Sequence, residues 1–462
     1  MRLFAPFVIT SYAVTLLACS PTSSGSVPAR ISPGHAPVHQ NKAFSQSAQG
    51  ESFPKGGSSE RDAVQEETEK DRPFQNLKAL VEALPDEVLA AQVLLSGVDG
   101  KGRPSAAMEA LLREIPVGGV MLFRYNIGST DSAMAQYNAT LRELLRRRYE
   151  ISTPREKNSR QVAILFPFIA IDHEGGSVDR LYPLTGLFPA PGRYAIEQGL
   201  FPGRPPLSAD AVQRSLDAVA SAAYRAGKDL ASLGFTLNLA PLAEPITAEN
   251  APFVGDRSFG SDPAYVAAAA AAFVRGMDRV GIATVAKHFP HSSAVDPHRD
   301  VAILDTSLEE LSRWMLPFQR LAVMEGGPSA IMVSHSMITT LDAHRPASLS
   351  STVIQRWLKE KLGYQGIAMA DDFAMGAIAK TGKTPETAVV EALAAGIDMV
   401  MVWPPDLRRV HRAILGALKD GHLARPRLED AVQRILMQKA RYGLLWQEAA
   451  PFSQEIPGEK KN

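Results

Sequence analysis

Short apolar runs alternate with amphipathic stretches along most of this chain. The runs are 93–98 (VLLSGV), 119–123 (GVMLF), 164–172 (ILFPFIAID), 236–240 (TLNLA), 282–287 (IATVAK), 330–335 (AIMVSH), 366–371 (GIAMAD) and 398–402 (DMVMV). Each is bounded by turn signals and apolar enough to be buried on both faces, as the strands of a parallel sheet are. Between them, DAVQRSLDAVASAAYRAGKDLASLG, DPAYVAAAAAAFVRGMDRVG and SLEELSRWMLPFQRLAVMEG carry apolar residues at helical spacing. Each ends in glycine, the residue that most readily closes a helix. Eight β-then-α units predict an α/β fold, a (β/α)8 TIM-type barrel, with a doubly wound open sheet as the alternative. The barrel is read as one catalytic domain, residues 74–449, without a second C-terminal domain.

Both ends depart from this pattern. Residues 20–73 are rich in Ser, Pro, Gly, His and Gln, then in charges, with almost no large apolar side chains. Such a segment cannot offset its ordering entropy by burial, so a flexible tether is expected, and a short tail of the same kind at 450–462. In residues 1–19, Arg2 precedes an apolar run that ends Leu16-Leu17-Ala18-Cys19. This resembles a bacterial lipobox, in which the cysteine becomes the lipidated first residue of the mature chain. An uncleaved anchor is the alternative, although the run is shorter than the ~20 residues of a spanning helix. Either way the chain is expected to be exported and held on the bacterial cell envelope, on its periplasmic or cell-surface side. Cys19 is the only cysteine, which excludes an internal disulfide. Lys+Arg and Asp+Glu balance at 49 each, so the charge total gives no sign of a nucleic-acid partner.

Polar residues gather where the apolar runs end. Asp172 to Glu174, Lys287 with His288, His335, and Asp371 with Asp372 all stand at C-terminal strand ends, which in a barrel ring the mouth where catalytic groups collect. After the fifth run comes KHFPHSSAVDPHRD, residues 287–300. Its His288, His291 and His298 could in principle hold zinc with an open position for water. No H-E-x-x-H spacing exists, however, and Pro290 and Pro297 interrupt any helix that would align the ligands. In IAMADDFAMG, 367–376, neighbouring side chains of a strand point to opposite faces, so one carboxylate aims into the mouth. A carboxylate there can act as a nucleophile toward an anomeric carbon. Asp371 is assigned that chemistry, and Asp372 a cap on the following helix or a pairing with a nearby base.

Taken in order, IDHEGGSVDRL, GFTLNLAPLAEP, VGDRSFGSDP, KHFP with a later Asp-x-His pair, MVSHSMITTLDAHRPASLS, ADDFAM and AAGIDMVMV resemble the bacterial β-N-acetylglucosaminidases of glycoside hydrolase family 3. The resemblance runs over residues 75–445. It implies retaining hydrolysis of terminal non-reducing β-N-acetylglucosamine residues from cell-wall fragments or chitin-like oligosaccharides. Asp371 would be the nucleophile and the Asp296/His298 pair the general acid/base. Asp172, Arg180, Arg257, Lys287 and His288 would contact the sugar. The expected partners are an oligosaccharide or muropeptide substrate and, through Cys19, a membrane; no metal or organic cofactor is expected. The alternatives are a β-glucosidase of the same family and a catalytically weak sugar-binding lipoprotein. This chain departs from the family pattern in PHSSAVDPH, which shortens the loop, and in Pro297, Ser177 and Glu244, which stand where relatives carry a small residue, Arg and Asp.

Overall fold

The computed structural model describes residues 76–152, 160–182, 184–197, 208–296 and 299–448. Eight parallel strands close into a barrel: β1 Leu94–Gly97, β2 Gly119–Leu122, β3 Phe168–Ile171, β4 Leu237–Asn238, β5 Ala283–Phe289, β6 Ala330–Val333, β7 Ile367–Asp372 and β8 Met399–Val402. Each strand pairs with the next in sequence and β8 pairs back onto β1. That closure settles the choice between barrel and open sheet. Every residue of β1, β2, β3, β5, β6 and β8 is buried, as expected of strands covered by side chains inside the barrel and by helices outside it.

Helix ends follow local chemistry. The hydroxyls of Ser208, Ser307 and Thr384 accept the amides of Ala211, Glu310 and Thr387, satisfying N–H groups that the first turn leaves over. Beyond helix Ala209–Ser232 the chain turns at Gly234, whose φ of 81° any side chain would disfavour. Gly276 has a different task. A Cβ there would lie 2.5 Å from the carbonyl oxygen of Ala220, so its absence lets helix Pro263–Asp278 press against helix Ala209–Ser232.

Two expected elements divide. The run 164–172 is not one strand, because Arg160–Leu165 pairs antiparallel with Arg147–Ser152 and Leu445–Glu448 outside the barrel. Pro167 offers no N–H to a ladder, and the chain enters the barrel only at Phe168, whose amide bonds the oxygen of Gly118 at 3.0 Å. Similarly, the stretch read as one helix after Ser307 splits into Leu308–Trp314 and Leu316–Ala322, since Pro317 cannot donate within a continuous helix.

Register breaks fall at the mouth. The β5/β6 ladder shifts between Lys287 and Phe289, and the β7/β8 ladder shifts between Met369 and Asp372. A bulge re-aims side chains without unravelling its strand, and these two sit at the strand ends richest in ionisable groups. Among the described residues no helix is long and apolar enough to cross a membrane. The proposed leader with Cys19, the tether and the C-terminal tail lie outside the described residues.

Candidate active site

The ends of β3 and β5 meet in an ionic network. Lys287 Nζ lies 2.6 Å from Asp172 Oδ1 and 2.6 Å from Glu174 Oε1. Arg257 then grips Glu174 with two parallel bonds, Nε to Oε2 at 2.8 Å and Nη2 to Oε1 at 2.9 Å. Burial alone would raise the Glu174 carboxyl, but the Lys287 and Arg257 charges outweigh it and hold the group below the usual carboxylate range. Burial alone would likewise lower Lys287, and Asp172 and Glu174 reverse that, so the ammonium is retained. Asp172 is the network's outward end, with its side chain 21% exposed against 1% for Glu174.

A second buried carboxylate organises the turn after β5. Glu244 accepts the His288 amide at 3.1 Å, the His288 ring Nδ1–H at 2.8 Å, the Ser292 amide at 2.6 Å and the Ser292 hydroxyl at 2.9 Å. His291 Nδ1 is 3.5 Å from its other oxygen, and the His291 ring stacks on Trp314. Burial pushes Glu244 up, yet the His288 ring, the charge of His291 and the Ser292 amide pull it down to about 2. With Nδ1–H donated to this anion, His288 keeps Nε2 for a ligand. The Lys287–His288 and Phe289–Pro290 peptide bonds are both cis.

At the end of β7 the adjacent carboxylates have different surroundings. Asp372 takes the Trp403 indole N–H on Oδ2 at 2.6 Å and the Ala374 amide on Oδ1 at 2.9 Å, and its carbonyl oxygen meets His335 Nε2 at 3.0 Å. The carboxylate of Asp371 receives only the amide of Asp372, at 2.8 Å on Oδ1, among the described residues. Burial favours its neutral form, but the His288 and His335 charges, then the Asp372 amide and the Lys287 charge, hold its pKa below the ordinary value. An anion so placed keeps an unshared oxygen and a strand-fixed direction, which is what a nucleophile requires.

Of the residues expected at the sugar, Asp172, Arg257, Lys287 and His288 are thus joined through Glu174 and Glu244. Arg257 is largely committed to Glu174, which leaves Nη1 for a ligand. Arg180 follows β3 half-buried and makes no hydrogen bond or ion pair among the described residues. Asp296 is half-buried, with its carbonyl oxygen accepting the amides of Arg299 and Asp300 and Arg299 Nε 3.8 Å from its carboxylate. His298 and Pro297 lie outside the described residues. Glu174, Glu244 and Trp403 carry more of the site than the sequence indicated. Glu174 was detectable two positions after Asp172, but nothing local marks Trp403.

A closed parallel barrel whose mouth gathers carboxylates and imidazoles around one unshared carboxylate oxygen is the architecture of a barrel enzyme's active site. Residues 86–437 match the glycosyl hydrolase family 3 N terminal domain, and the chain belongs to that family. The chain is 32% identical over 364 residues to the Beta-hexosaminidase of Stenotrophomonas maltophilia (strain K279a), a match that covers 74% of this chain and 98% of that one. Its fold superposes with a TM-score of 0.66 on a glycoside hydrolase family 3 beta-N-acetylglucosaminidase from Paenibacillus sp. str. FPU-7, at 27% identity over 78% of this chain and 63% of that chain. A glycosyl hydrolase of the family from Mycobacterium smegmatis str. MC2 155 superposes with a TM-score of 0.62, at 28% identity over 78% of this chain and 98% of that chain. The family bears out the expected enzyme class, a glycoside hydrolase.

Proposed function

We propose that this enzyme is a retaining β-N-acetylhexosaminidase that removes terminal β-N-acetylglucosamine residues from cell-wall fragments or chitin-like oligosaccharides. The observation that carries the reading is Asp371, an ionised carboxylate with one hydrogen bond at the mouth of a family 3 barrel. Its unshared oxygen attacks the anomeric carbon and forms a glycosyl-enzyme, and water then releases the sugar with the configuration retained. Asp172, Arg180 and Nε2 of His288 offer an acceptor, a cationic donor and a further hydrogen-bonding atom to the pyranose hydroxyls, with Lys287 fixing Asp172 in place.

Protonation of the leaving oxygen falls to the Asp296/His298 pair. An imidazole titrates near pH 6.5, so it can give a proton in the first step and take one from water in the second. Glu174, another acid at the mouth, is a poor substitute because Lys287 and Arg257 keep it ionised. Written this way, the reaction needs neither metal nor organic cofactor. Export and attachment through Cys19 would place the barrel beside a membrane surface, close to envelope glycans.

The test is a hydrolysis screen of aryl β-N-acetylglucosaminides against aryl β-glucosides. Preference for the acetamido sugar, with the retained anomer formed first, supports the reading. Preference for glucosides would make it a β-glucosidase, and binding without turnover would make it a sugar-binding protein. Cys19→Ser should move the protein out of the membrane fraction with activity intact, and a variant that stays membrane-bound would overturn the anchor.

A further inference from the structure

Three aromatic rings stand in series at the mouth, on the arc formed by β8, β1 and β2. Trp403 follows β8 directly, Phe123 follows β2, and Tyr125 lies in the next turn. The Trp403 and Phe123 rings are 4.8 Å apart at 21°, and the Phe123 and Tyr125 rings 5.8 Å apart at 10°, so the three are nearly parallel. One end of the series touches the catalytic strand, since Trp403 donates its indole N–H to Asp372, the neighbour of Asp371. The other end reaches solvent, with Tyr125 52% exposed.

Local structure holds the series rigid. A Cβ on Gly97 would come within 3.0 Å of the Trp403 ring, so the indole can settle over the end of β1 only because that position is glycine. Asn126 ties the turn down from inside, accepting the Phe123 amide at 2.8 Å and donating to the oxygens of Val98 at 3.1 Å and Gly100 at 2.8 Å. Tyr125 adds a bond from its hydroxyl to the Val98 oxygen at 3.1 Å. A rigid, partly exposed aromatic surface has little conformational entropy left to lose on binding.

The chemistry of that surface selects its ligand. A pyranose carries weakly positive C–H bonds on its flat faces, and these suit the negative face of an aromatic ring. The loop after β5 leans to the same side: Asp300 is paired with Lys380 at 2.7 Å, in the segment after β7, the strand next to β8 and Trp403. Resting on the hydrolase reading above, we propose that the exposed ring of Tyr125, backed by the stacked rings of Phe123 and Trp403, forms an aglycone subsite that stacks the second sugar of an N-acetylglucosamine oligomer.

The experiment compares kcat/KM for triacetylchitotriose with kcat/KM for methyl β-N-acetylglucosaminide in the wild type, Tyr125→Ala and Tyr125→Phe. Tyr125→Ala should lower the ratio of the two about tenfold, equivalent to ~1.4 kcal/mol of lost stacking, through KM of the oligomer. Tyr125→Phe, which keeps the ring and loses the hydroxyl, should restore the ratio to within about twofold of wild type. Calorimetric titration of Asp371→Asn with triacetylchitotriose, with and without Tyr125→Ala, reads the same contact without turnover. An unchanged ratio in Tyr125→Ala, or a loss as large in Tyr125→Phe, overturns the subsite. A wild type that hydrolyses no N-acetylglucosaminide, while Tyr125→Ala still weakens the titration, overturns the hydrolase reading and leaves the stacking surface standing.

Discussion

At the N-terminal end of the barrel, Asp398 has both oxygens occupied: Lys359 Nζ at 2.7 Å and Arg427 Nη2 on Oδ1, and the Ala368 amide on Oδ2 at 2.9 Å. At the opposite end, Asp371 has one amide on one oxygen and two imidazoles nearby. Both ends bury carboxylates among cations, so an ionic cluster in a barrel is not in itself a sign of chemistry. The difference lies in completion. Asp398 and its partners satisfy one another, whereas the mouth leaves an Asp371 oxygen, His288 Nε2 and Arg180 without protein partners among the described residues, open to a ligand.

Asp371→Asn puts the largest effect on this contrast. The amide is nearly isosteric but cannot attack carbon, so turnover of N-acetylglucosaminides should fall by roughly 10⁴-fold or more, with stability within about 1 kcal/mol of wild type. A fluorinated-sugar inactivator should label a peptide at Asp371, and labelling at Asp372 would reverse the assignment. Asp398→Ala should do the opposite. It leaves the buried Lys359 with only Asp430 at 3.8 Å and takes one of two carboxylates from Arg427, so unfolding in denaturant should show a loss of about 3 kcal/mol, with kcat of the folded fraction kept. The contrast breaks if Asp398→Ala abolishes turnover at full stability.

Glu244→Gln probes the boundary between the two kinds of site, since Glu244 is as saturated as Asp398 yet orients His288. The amide would set an N–H against the donors of Ser292, turning the His288 ring, and kcat/KM should fall by about 10²-fold. Stability should change with a defined pH dependence. Folding lowers the Glu244 pKa from 4.5 to about 2, so its stabilising contribution is complete above pH 4.5 and is lost as the pH falls from there toward 2. The Glu244→Gln variant should therefore have a shallower acid limb across that window in denaturation curves taken at successive pH values.

The barrel was legible in the sequence because buried parallel strands read as unbroken apolar runs, and because each run stops where polar residues meet the mouth. Asp371, Lys287 and His288 could be placed for that reason. The pairing of Lys287 with Glu174, and of Glu174 with Arg257, could not. These residues lie on different βα units, and which cation meets which carboxylate is decided by loop geometry that no local pattern encodes. Bulges at Lys287–Phe289 and Met369–Asp372 were equally hidden, because an irregular register leaves no trace in hydrophobic periodicity. The misread run at 164–172 failed on one residue, Pro167, whose missing N–H divides an outer strand from a barrel strand. Trp403 reads as one more apolar residue after MVMV, and its role follows only from its bond to Asp372.

His173 gives the smallest effect and the sharpest test of whether incompleteness marks function. Its ring is buried against Phe188 at 5.0 Å, and Nδ1 has no hydrogen bond, the nearest carboxylate oxygen being Asp179 Oδ1 at 3.5 Å. By the criterion of unpartnered groups alone it would rank with Asp371. Its ring differs in being sealed between its own loop and Phe188, so the consequence should appear in stability and not in turnover. Burial holds the imidazole below its ordinary pKa, with Asp179 opposing and Arg180 assisting. Below pH ~6.5 the unfolded chain then takes up a proton that the folded chain refuses, and stability is lost as the pH falls through that point. His173→Phe, which keeps the stack and removes the titration, should cancel about 1–2 kcal/mol of the loss between pH 7 and pH 5, measured by urea denaturation at both. Its kcat at pH 7 should stay within about threefold of wild type, a change of less than ~1 kcal/mol in the barrier. A collapse of turnover in a stably folded His173→Phe variant would mean that an unfilled hydrogen bond marks catalytic machinery even in a sealed position, and that the distinction between open and enclosed incompleteness is wrong.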